Sequence, residues 1–155
     1  MAIGAFGNPL IRAVSLLAIL AACRTPSPRP LAYDAETCSQ CHMTLADRRF
    51  GAELVLQTGR VIPFDDTGCL ISYLGRDSTT AVHSIQVTDF LPPHALLDAT
   101  SAVFLVSDSI RTPMDYHIAA LSPRSADSVR AAMGGELVSW DQARAMIQGR
   151  DGRAP

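Results

Sequence analysis

Basic residues nowhere gather into the runs that track a phosphate backbone, and the net charge is only −2, so the composition excludes a nucleic-acid partner. Long apolar runs are missing as well. The longest, Ala13 to Ala22, has ten residues, against the roughly 20 that a membrane-spanning helix needs. Aromatic residues make up 6% of the chain, which leaves little material for wrapping a large planar cofactor. Cysteine is sparse at four residues, and a second Cys-x-x-Cys or a His pair at matching spacing is absent, which removes the closed four-ligand zinc site.

What is present begins at the amino terminus. Arg12 gives a positive start, the apolar run follows, and Leu20-Ala21-Ala22-Cys23 resembles the lipobox of bacterial lipoproteins, in which the signal is cut before a cysteine that then carries lipid. Residues 1–22 are therefore expected to be an export signal and Cys23 a lipidation site. Arg24 after that cysteine fits sorting to an outer membrane in a two-membrane cell, with the domain facing the periplasm or the exterior. Arg24 to Pro30 alternates proline with polar residues, which favours an extended tether of about 3 Å per residue. Residues 23–36 are assigned to that tether and residues 37–150 to one domain with halves at about 37–91 and 100–150. Once Cys23 is set aside, Cys38, Cys41 and Cys69 remain, an odd number that cannot all pair within the chain.

The domain is expected to be α+β with antiparallel sheet. Ala52 to Gln57 and Arg60 to Phe64 flank Thr58-Gly59 as a hairpin, with Pro63 demanding an edge strand. Asp65-Asp66-Thr67 offers N-caps for a helix ending near Gly75, and Val82 to Phe90 follows as a strand. The order then recurs: strands at 102–107 and 116–121, a helix from Pro123 to Met133 capped by Ser122, a short strand at 136–139, and a C-terminal helix from Ser139 or Asp141 to Gln148. Two strand-strand-helix-strand units plus a closing helix result.

The densest chemistry is Cys38-Ser39-Gln40-Cys41-His42-Met43. Thiolate and thioether are soft donors that favour Cu(I) over hard cations. Cys38-x-x-Cys41-His42 is also literally the attachment pattern of c-type haem, with Met114 or Met133 as a distal ligand, so an electron-transfer haem protein is the alternative. Dithiol redox exchange requires a helix opening on the cysteine, which the neighbouring residues do not supply. A plain Cys38–Cys41 disulfide stays open. Cys69 falls on the apolar side of its helix and reads as a small buried hydrophobe, Met114 as core filling unless the first cluster is near, and His83 and His94 as structural or surface residues.

In order along the chain, Cys41-His42-Met43, Phe64-Asp65-Asp66-x-Gly68-Cys69, Pro113-Met114 and Gly134-Gly135 make the sequence resemble the NosL family, nitrous-oxide reductase accessory lipoproteins, from about Thr37 to Ile147. The resemblance implies a pair of strand-strand-helix-strand units and a membrane-tethered, periplasm-facing Cu(I) chaperone. Its copper would pass to a copper-accepting enzyme, nitrous-oxide reductase or a similar one, or to an assembly transporter. It maps the metal ligands onto Cys41, Met43 and Met114. Two departures stand out: His42 lies where many relatives have Gly, and Cys38 adds a second thiol. Either Cys38 or His42 would then act as an exchange ligand in a carrier that binds and transfers, without catalysis.

Overall fold

The computed structural model describes residues 25–76 and 79–152. The export signal, Cys23 and Arg24 lie outside the described residues.

Turn chemistry sets the first unit. Strand β1 (Ala52–Leu56) and β2 (Val61–Phe64) pair antiparallel, with Leu54 opposite Ile62. Gly59 closes the turn at φ 83, a left-handed conformation that glycine adopts freely. Helix α1 (Thr67–Arg76) follows, then β3 (Val82–Thr88) and β4 (Leu96–Asp98), giving a four-stranded sheet in the order β2-β1-β3-β4. β2 is an edge strand, as Pro63 requires. β4 was not expected: three residues soon after Pro92-Pro93 are too few to show a period.

The second unit repeats the layout. β5 (Val103–Val106) lies between its hairpin partner β6 (Ile118–Leu121) and β7 (Glu136–Val138), with α2 (Ala126–Met133) in the connection and α3 (Trp140–Asp151) closing the chain. In both sheets the first strand is central, flanked by its hairpin mate and by a strand that follows a helix. Helix α2 starts at Ala126 and not at Pro123. The Ser122 hydroxyl bonds that of Ser125 at 3.0 Å, and Ser125 N–H donates to the Ser122 carbonyl at 3.1 Å, so Pro123 sits in a turn ahead of the helix.

Leu54, Phe64, Leu70, Phe104, Ile118 and Trp140 share one core, so the two units bury a common interior. A bridge between Asp89 and Ala120 joins the sheets, and α1 packs on α3. The stretch expected as free tether is partly docked. Arg29 N–H donates to the buried Glu53 carboxylate at 3.1 Å, Arg29 pairs with Glu36, and Leu31 is buried. An apolar side chain and an otherwise underpartnered carboxylate draw residues 29–36 onto the domain.

Candidate metal centre

A small loop carries the amino-terminal donors. Thr37 and Thr44 form an antiparallel bridge at its base, Cys38 N–H donates to the Met43 carbonyl at 2.8 Å, and His42 N–H to the Cys38 carbonyl at 3.0 Å. Ser39 N–H donates to the Pro63 carbonyl at 3.0 Å, which seats the loop on the open edge of β2. His42 turns the chain at φ 63, a conformation that glycine adopts without strain and a histidine seldom takes. Cys38 is fully buried, Cys41 half-buried, and His42 exposed.

The second side of the site comes from the start of α1. Asp66 precedes the helix, and its Oδ1 accepts from Cys69 N–H at 2.7 Å, the N-cap bond expected of an Asp at that position. This fixes Cys69 in the first helical turn. Its sulfur and those of Cys38 and Cys41 all lie within 4.8 Å of one another, and all three thiols are free. Gly68 makes the approach possible from the other unit: a Cβ there would meet the Tyr116 ring at 2.1 Å. The turn bearing Tyr116 therefore sits directly on α1. From the same turn, Met114 N–H donates to Asp66 Oδ2 at 3.1 Å.

Protonation follows from these contacts. The Cys69 thiol donates to Cys38, and backbone N–H groups of Cys41, Asp65 and Gln40 add to it, so Cys38 is lowered to about 5 despite burial. Cys69 moves upward because its proton is held in that bond and because it is buried. Burial also raises Cys41. Cys38 is thus the sulfur most disposed to give up its proton, and Cys41 and Cys69 hold theirs more firmly. Burial lifts Asp65 to about 6, and it raises Asp66 as well.

Such a set suits a soft cation. An ion about 2.3 Å from each sulfur keeps any two of them within about 4.6 Å of each other, close to the spacing observed, so side-chain adjustments suffice to close on it. Met43 is 51% exposed and Met114 39%, and both are tied by their backbones to the thiol-bearing elements, Met43 through its carbonyl to Cys38 and Met114 through its N–H to Asp66.

Cys69 corrects the sequence reading. It is buried as expected, but it belongs to the donor cluster and is not inert packing, because the helix start it occupies faces the Cys38 loop. Cys38 is buried with its sulfur beside those of Cys41 and Cys69. Cys38 lies outside any helix N-terminus, so its lowered thiol owes nothing to a helix end and comes from the Cys69 thiol and the nearby backbone N–H groups. His83 is exposed, and His94 hydrogen-bonds the Asp89 carbonyl at 3.1 Å. Neither belongs to the thiol cluster.

Three thiols gathered by the loop and helix start of the first strand-strand-helix-strand unit define a thiol cluster that could hold a metal ion. The NosL family model matches residues 31–147, and the chain belongs to the NosL family. Its fold is similar to the crystal structure of the copper chaperone NosL from Shewanella denitrificans, with a TM-score of 0.61 and 27% identity over 75% of this chain and 96% of that one. No curated protein sequence matches the chain.

Proposed function

We propose that the chain is a Cu(I) carrier of the cell envelope, binding copper through Cys38, Cys41 and Cys69, with Met43 and Met114 as thioether donors at the rim. The observation that carries this reading is the gathering of three thiols within 4.8 Å in a NosL-family chain. Sulfur-only coordination selects Cu(I) by softness. Cargo enters and leaves by ligand exchange. Met43, Met114 and the exposed His42 offer entering donors, while the three thiols, two buried and one half-buried, hold the ion between exchanges. The role is binding and transfer rather than catalysis, as in the copper chaperone it resembles.

The lipobox supports tethering through Cys23, with the domain facing the periplasm or the exterior. The recipient in this reading is nitrous-oxide reductase, a similar copper enzyme, or a transporter that assembles one. Short-range search by a tethered donor raises the effective concentration of the pair. Labelled palmitate should be incorporated by the wild type and lost in Cys23→Ser.

Anaerobic titration against a Cu(I)-selective chelator tests the cargo. One Cu(I) per chain is expected, and Cys38→Ser, Cys41→Ser and Cys69→Ser should each weaken binding by more than the roughly 10–100-fold that loss of an outer-shell partner costs. Binding unchanged in all three variants would overturn the reading.

A further inference from the structure

Two donors of the proposed site come from different halves of the molecule, Cys69 from the start of α1 and Met114 from the turn between β5 and β6. A single buried carboxylate joins them. Asp66 is 0% exposed; its Oδ1 accepts from Cys69 N–H at 2.7 Å and its Oδ2 from Met114 N–H at 3.1 Å.

The turn is built independently of that link. Asp115 N–H donates to the Thr112 carbonyl at 3.0 Å, Tyr116 N–H to Thr112 Oγ1 at 2.9 Å, and Thr112 itself is buried. Its placement against α1 then rests on the Tyr116 ring over Gly68, the hydrogen bond between the Tyr116 and Ser72 hydroxyls at 2.8 Å, and the Asp66–Met114 bond, the last being the contact made at the methionine itself. Met114 is 39% exposed, so core packing does not fix where its thioether stands. The bond to Asp66 fixes the backbone from which that thioether projects.

We propose that Asp66 is the positioning residue of the copper site, holding the Met114 thioether and the Cys69 thiol in one frame so that a single ion is bridged between the two units. This rests on the carrier reading above and on Met114 as a ligand. For this role the carboxylate need not touch the metal. Its two oxygens instead fix the backbones of two ligands, as outer-shell partners of metal sites do.

Asparagine has one acceptor oxygen, and its NH2 group would face an N–H donor. Asp66→Asn should therefore keep the shorter bond to the helix start and release Met114. Chelator competition is expected to show Cu(I) bound about tenfold more weakly than in the wild type. The same substitution in a Met114→Leu background should change affinity little, because the ligand it positions is already gone. Such non-additivity marks positioning, whereas a general loss of structure would lower affinity in both backgrounds. If Asp66→Asn does not fold, Asp66→Ser serves instead: serine caps the helix through Cys69 N–H but is too short to reach Met114. Wild-type affinity in the folded variant, or additive losses in the cycle, would overturn the assignment while leaving the carrier reading intact. A wild type that binds no Cu(I) would sink both.

Discussion

A methyl group at position 68 would lie 2.1 Å from Cγ and Cδ2 of Tyr116, far inside carbon–carbon contact distance, so the ring and its turn would have to move. Gly68→Ala is expected to lose about 1–3 kcal/mol in chemical denaturation, the usual cost of overpacking, even though alanine is the better helix former by about 1 kcal/mol. An unchanged or higher midpoint would show that the ring gives way freely. The same residue scale decides what could be read in advance. Cys38 and Cys41 announced themselves by adjacency, and Asp65 to Cys69 by the family pattern. The burial of Cys69 was legible from Leu70, Tyr73 and Leu74 at helical spacing, but its sulfur partners were not. Cys41 and Cys69 are separated by a whole hairpin, and no local period reports a contact made by seating a loop on a strand edge. The odd cysteine count and the Asp66 cap three residues earlier were the available signals. Asp66 itself read only as a cap, since its second oxygen meets a backbone N–H from the other unit.

At the level of elements, α3 depends on its start. Ser139 Oγ accepts from Gln142 N–H at 3.3 Å and the Gln142 side chain accepts from Ser139 N–H at 2.8 Å, a complete capping box. The helix carries Trp140, Ala143 and Ile147 into the common core. Ser139→Ala should cost about 1 kcal/mol, read as a lower denaturation midpoint with copper binding retained; a loss of copper binding at unchanged stability would contradict this purely structural role. The hairpin, α1, and the β7–α3 segment were legible because caps, turns and apolar spacing agree there. β4 was not, since its three residues pair only because β3 presents an open edge. Nor was the start of α2, where two serine hydroxyls bond each other and hold Pro123 in a turn.

For the whole molecule, two units of like strand order share one interior; the thiol cluster lies on the first unit's loop and helix start, and the second unit's turn packs on that helix start at Gly68 and Asp66. That shared interior has an electrostatic cost at Glu53. It is fully buried on the central strand β1, Arg29 N–H bonds one oxygen, and the other has no partner among the described residues. Burial raises it to about 6, above the roughly 4.3 of an unfolded glutamate. The folded state then binds the extra proton between those values, so this group's contribution to stability falls as pH rises through that window, and the penalty is complete above it. Cys38, pulled down, acts in the opposite sense, so the Glu53 effect is isolated by difference. Glu53→Gln minus wild type should be near zero at about pH 4 and clearly stabilising at pH 7.5; a difference independent of pH would contradict the assignment. In the proposed carrier, Cys38, Cys41 and Cys69 share one copper ion. X-ray absorption at the copper edge of anaerobically loaded protein tests it most directly. An all-sulfur shell that loses one sulfur in Cys69→Ser is the result predicted, and an identical shell in wild type and Cys69→Ser would contradict it.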